Sequence, residues 1–137
     1  MLVVGDDHPW AGRTRVDAKE FADTDWVLRE PGSGTRSAFE AALERLDGAK
    51  ALRIVMELPS NEAVRAAAEA GAGATVISAS VAAPSLEAGL VYQVPFDLPD
   101  RAFEVVRHRE RQHSRAAEAL LDIIRQGSGR LALAAAG

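Results

Sequence analysis

The chain of 137 residues contains no cysteine, so it can form no disulfide and carry no thiol chemistry. Aromatic side chains are scarce, at 5% of residues. No apolar run approaches the roughly 20 residues that span a bilayer. The opening Met1-Leu2-Val3-Val4-Gly5 is followed at once by Asp6-Asp7, without the basic flank of a signal peptide. These features fit a cytoplasmic protein with no membrane partner. The positive excess that marks a nucleic-acid surface is missing too, because the net charge is −4. The three histidines, His8, His108 and His113, lie in polar or charged stretches without His-Glu-x-x-His spacing. Gly32-Ser33-Gly34 is not the Gly-x-Ser-x-Gly turn that presents a nucleophilic serine. No residue set for a metal, a cofactor or covalent catalysis is found, and the chain reads as a binding module, not an enzyme.

What the chain does have is an ordinary globular balance, 47% hydrophobic and 26% charged, in a length that suits one domain. Apolar runs of strand length occur at 2–4, 25–29, 51–57, 74–78, 90–94 and 103–107. Helical patterns lie between several of them. One covers 35–46, closed by Asp47-Gly48, and a second starts at Ser60-Asn61 and ends at Gly71. A short one at 79–87 carries Pro84, which is expected to interrupt it. A last helix opens at Ser114 with Ala117, Leu120, Leu121 and Ile124 on one face, and 127–137 is expected to be a flexible tail. Alternating strands and helices predict a largely parallel sheet covered by helices. Gly71-Ala72-Gly73-Ala74 follows a helix, so it reads as a tight helix-to-strand turn and not as a dinucleotide loop.

The segment Glu30-Pro31-Gly32-Ser33-Gly34-Thr35-Arg36 joins a strand to a helix. That geometry presents free N–H groups at the positive end of a helix, an anion site in waiting. Ser33 and Thr35 add hydroxyls, and Arg36 adds a cationic fork. Two further strand-to-helix junctions, at Leu58–Asn61 and Ile77–Ser80, carry Ser60, Asn61, Ser78 and Ser80. In open α/β sheets ligands sit beyond the strand C-termini, so the three junctions together would form a donor-rich rim. The same serines and asparagine also make ordinary helix caps, and the two roles are compatible. The candidate ligand-binding set is Gly5, Ser33, Gly34, Thr35, Arg36, Ser60, Asn61 and Ser78. Arg107, His108, Arg109 and Arg111 cluster near Glu110, a pattern typical of a solvated face.

The order of segments resembles the C-terminal part of the effector-binding domain of LysR-type transcriptional regulators. The resemblance runs from Leu2 to Arg125. It rests on His8-Pro9, on Asp25-Trp26-Val27 leading to Gly32-Ser33-Gly34-Thr35-Arg36 and Phe39, and on Ser60-Asn61-Glu62-Ala63-Val64. It continues through Ala70-Gly71-Ala72-Gly73-Ala74-Thr75-Val76-Ile77-Ser78, Gly89-Leu90-Val91 and Arg101-Ala102-Phe103, and closes with the helix after Ser114. It implies an α/β fold of the periplasmic-binding-protein-like type II class, in which residues 1–126 are part of an effector-binding domain. Residues 13–100 would form the second lobe, 2–5 and 103–107 the hinge strands, and 114–125 the C-terminal helix. The implied function is sensing of a small effector, an organic acid or inorganic anion, by closure of two lobes, together with self-association as a homodimer or higher oligomer. The resemblance covers no helix-turn-helix, so DNA contact is expected only through a domain absent from this chain. The alternative of related fold is a substrate-binding protein of a transport system.

Overall fold

The structure is a computed structural model that describes residues 1–46, 51–98 and 114–134, with side chains as far as 127. The expected strand at 103–107, the Asp47-Gly48 cap and the basic cluster around His108 lie outside the described residues, as does His113. The chain divides into two units, Met1–Arg101 and Ala102–Gly137. In the second, helix α4 covers Arg115–Ala134. It continues past residue 125, where the sequence suggested a tail.

The first unit holds strands β1 (Leu2–Gly5), β2 (Asp25–Arg29), β3 (Arg53–Leu58), β4 (Thr75–Val76) and β5 (Val91–Val94). Between them run helices α1 (Gly34–Leu43), α2 (Asn61–Glu69) and α3 (Ala79–Glu87). β2 and β3 pair in parallel, and β1 lies between β4 and β5. A parallel bridge from Trp26 to Ala74 joins the two sheets, with Val27 N–H donating to the Ala74 carbonyl at 3.0 Å and Ala74 N–H to the Asp25 carbonyl at 2.8 Å. The strands therefore follow the order β3-β2-β4-β1-β5.

The expectation of a largely parallel sheet holds for the strands joined by helices, and fails for β1, which is antiparallel to both neighbours. The reason is its connection. A crossover helix forces the next strand to run the same way, but β1 leads into a loop and a 3-10 turn at Ala18–Asp23, closed by a reciprocal cap between Asp17 and Glu20. Other boundaries shift modestly. α1 ends at Leu43 and tightens into i→i−3 bonds, from Arg45 N–H to Ala42 and from Leu46 N–H to Leu43. α3 runs through Pro84 without a break.

The sheet separates two apolar layers. On one face Trp10, Phe21, Trp26 and Phe39 pack with Leu2, Val4, Val16 and Leu28, and Phe96 joins at their edge. Both tryptophans and three of the four phenylalanines thus share one cluster. Ring centroids of Phe21 and Trp26 stand 5.1 Å apart, as do those of Trp26 and Phe39. The indole Nε1–H of Trp26 donates to the Phe21 carbonyl at 2.8 Å, satisfying the one polar atom of a fully buried ring. On the other face Val3, Val27, Val64, Ile77, Ala82 and Val91 are buried beneath α2 and α3. Burial of each such side chain contributes about 1.5–3 kcal/mol. At Gly73 a Cβ would come within 2.5 Å of the Asp25 carbonyl oxygen. Only glycine lets the turn after α2 come close enough to β2 for the Ala74 bridge.

Candidate functional site

Because β2, β3 and β4 run the same way, the starts of α1, α2 and α3 all lie at one end of the sheet. The structure thus brings together the three junctions that the sequence singled out. Ser33, Ser60 and Ser78 are the N-cap residues of α1, α2 and α3. Their chemistry differs. The Ser60 hydroxyl is committed as a cap and accepts from Ala63 N–H at 3.0 Å. The Ser33 side chain makes no cap bond although the residue is only 7% exposed, and its hydroxyl has no hydrogen-bond partner among the described residues. The Ser78 side chain makes no cap bond either, and its hydroxyl lies 3.2 Å from that of Ser80. Two of the three helix starts therefore keep their first-turn N–H groups free of a side-chain cap.

Gly34 and Thr35 are the first residues of α1 and belong to the same rim. Arg36 is there too, but its guanidinium is shared among protein acceptors. Nε donates to Glu40 at 2.7 Å, and Nη1 donates to the Arg29 carbonyl at 3.0 Å and to the Glu57 carboxylate. The bonds to Glu40 and then Glu57 raise its pKa above the ordinary arginine value. Asn61 opens α2, and its Oδ1 accepts from Arg29 Nη1 at 2.7 Å.

Gly5 is not at the rim. β1 is reversed, so its last residue falls at the opposite end of the sheet, where a Cβ on Gly5 would stand 2.6 Å from the Ala68 carbonyl oxygen and 3.6 Å from Gly71 Cα. The sequence could not reveal this, since strand direction depends on pairing and not on local pattern.

Two charged rim residues were missed. Arg29 ends β2, with its side chain 17% exposed, and Glu30 follows it at 43%. Arg29 Nε and Nη2 donate to the two oxygens of Glu30 at 2.7 and 2.9 Å. That bond is the main cause of a raised pKa at Arg29 and a lowered one at Glu30. The available signal was an arginine at the last position of a strand that leads to a glycine-rich strand-to-helix turn. Among the described residues no group of three or more histidine and carboxylate side chains could hold a metal ion. Among them, too, no helix is long and apolar enough to cross a membrane.

The family defined as the LysR substrate binding domain matches residues 1–129. The chain belongs to that family, and its fold is the periplasmic-binding-protein-like α/β fold of LysR regulatory domains. An HTH-type transcriptional regulator of Mycobacterium tuberculosis is 42% identical over 102 residues, which cover 72% of this chain and 32% of that protein. The RuBisCO operon transcriptional regulator of Allochromatium vinosum is 29% identical over 133 residues, 96% of this chain and 43% of that protein. The chain therefore spans less than half the length of these relatives. Among solved structures, the regulatory domain of Synechocystis CcmR in complex with 2-PG superposes with a TM-score of 0.71 at 24% identity, over 89% of this chain and 59% of that one. The effector-binding domain of QuiR in complex with shikimate gives 0.66 at 18% identity, over 88% of this chain and 56% of that one.

Proposed function

We propose that this chain is the second-lobe part of the effector-sensing domain of a LysR-type transcriptional regulator, and that its rim takes a small organic acid or inorganic anion. The observation that carries the reading is Ser33, a hydroxyl-bearing N-cap that is nearly buried yet makes no cap bond, at a helix start that converges with two others. Gly34, Thr35, Ser60, Asn61 and Ser78 supply the surrounding donors and acceptors. Closure of a facing lobe over the bound anion would then bias the regulator between two geometries. Support comes from the family, from relatives named as transcriptional regulators, and from neighbours solved with 2-PG and with shikimate. DNA contact belongs to a helix-turn-helix domain elsewhere in such a regulator.

The test is calorimetric titration of the full chain with inorganic phosphate, sulfate, 2-PG and shikimate, repeated on Ser33→Ala and Ser60→Ala. Saturable binding of at least one compound, weakened by Ser33→Ala, is expected. Binding untouched by both substitutions would take the anion away from this rim.

A further inference from the structure

Arg29 holds its guanidinium in a frame of three bonds. Asn61 takes Nη1, and both oxygens of the adjacent Glu30 take Nε and Nη2 in a side-on, bidentate pair. Asn61 comes from another element, at the start of α2, so it fixes where the guanidinium stands. Glu30 is different. It lies just past the end of β2, its side chain is 43% exposed, and Arg29 is the one side chain that it contacts by an ion pair or hydrogen bond among the described residues. Its backbone belongs to the turn that delivers the α1 start, since the Ser33 N–H donates to the Glu30 carbonyl at 3.2 Å. A bidentate carboxylate therefore already sits on the fork of an arginine, and it is carried by the residue whose carbonyl accepts from the Ser33 N–H.

Arg36 provides the contrast. Its acceptors come from three places, Glu40 on α1, Glu57 on β3 and the Arg29 carbonyl on β2, and its side chain is 11% exposed. A ligand would have to break a tertiary clamp to reach it. To reach Arg29 a ligand displaces only one exposed side chain, whose carboxylate returns to water at low cost.

We propose that Glu30 is a built-in counter-ion that the carboxylate of the effector replaces on Arg29, with Asn61 holding the guanidinium in place. The inference rests on the anion reading of the rim and names its ligand class, a small carboxylic acid. Glu62 contributes a second negative charge near Arg29, so the effector carboxylate gains a place on the fork only as Glu30 leaves it. Arg29 is then the fork that reads the effector carboxylate, and Glu30 sets how much effector is needed.

The experiment is titration of the full chain with malonate as carboxylate probe and inorganic phosphate as tetrahedral probe, on the wild type, Glu30→Gln, Arg29→Gln and Arg29→Lys. Removing the competing carboxylate should tighten malonate binding by about tenfold, the scale of one charge-assisted bond. Arg29→Gln should abolish the gain in the Glu30→Gln background. Arg29→Lys keeps the charge without the fork, so it should bind malonate weakly while remaining folded by circular dichroism, and it decides the matter if Arg29→Gln misfolds. Malonate binding that is equal in wild type, Glu30→Gln and Arg29→Lys overturns the counter-ion proposal and leaves the anion rim standing. Absence of malonate and phosphate binding in every variant overturns the rim reading itself.

Discussion

The Ser85 hydroxyl donates to the Glu69 carboxylate and so bolts α3 to the last turn of α2. Ser85 is 3% exposed, and Glu69 is also held at 3.2 Å by Arg65 Nε from one turn earlier on α2. Ser85→Ala leaves the carboxylate with Arg65 alone. The expected loss is about 1–3 kcal/mol for an unpaired polar group, at the low end here because the Glu69 side chain is 22% exposed and water can replace the hydroxyl. The urea midpoint should fall with an unchanged slope. An unmoved midpoint would show that the bond contributes nothing net.

Acid should destabilise the fold through His8. The Trp10 N–H donates to Nδ1 at 3.1 Å, which requires an unprotonated Nδ1, and leaves Nε2–H to donate to Thr24 Oγ1 at 2.8 Å. Burial lowers the pKa of His8 below the ordinary value of 6.5, outweighing the opposing charges of Asp7 and Asp25. A folded-state pKa below the unfolded one means that the unfolded chain binds more protons in this window. The stabilisation is therefore complete above about pH 6.5 and is lost as pH falls towards the folded-state value. Melting temperatures between about pH 7.5 and 5.5 should drop more for the wild type than for His8→Gln. Parallel curves would exclude His8 as the cause.

Arg36→Ala should act mainly on stability. It removes bonds to Glu40, Glu57 and the Arg29 carbonyl, at a cost of about 1 kcal/mol once solvent screening of the exposed carboxylates is allowed for. Phosphate affinity should change less than in Arg29→Gln. A larger loss of affinity in Arg36→Ala would restore Arg36 as the cationic contact.

Helix α4 carries Leu120, Ile123 and Ile124 at exposures of 57%, 66% and 44%. An apolar stripe of this kind favours self-association. Leu121→Glu with Ile124→Glu should shift sedimentation towards monomer or unfold the chain. A well-folded wild-type monomer at high concentration would refute the expectation.

Legibility of the sequence followed the range of the interaction. Local patterns announced β2 from Asp25 to Arg29, an α2 cap at Ser60 or Asn61 and the turn at Gly71–Ala74, because each is decided by neighbours along the chain. The convergence of the three helix starts was readable as well, since helices between strands impose a common direction. The reversal of β1 was not, and Gly5 went with it to the far end of the sheet. Arg29 and Glu30 were hidden for another reason. Whether a charged pair is structural or exchangeable depends on exposure and on where its partners come from, and neither is written in spacing.

The concentration of aromatic rings on one face also decides what light can report. Trp10 and Trp26 have centroids 6.1 Å apart, and the His8 ring stands 5.1 Å from Trp10. Indole emission from this chain is thus a signal from a single layer, quenched or released with the packing of Phe21 and with the proton on His8. The opposite layer, built of valine, isoleucine and alanine, is optically silent. A loosening of α2 and α3 alone would pass unseen in fluorescence while circular dichroism recorded it, so disagreement between the two probes would locate the first layer to open.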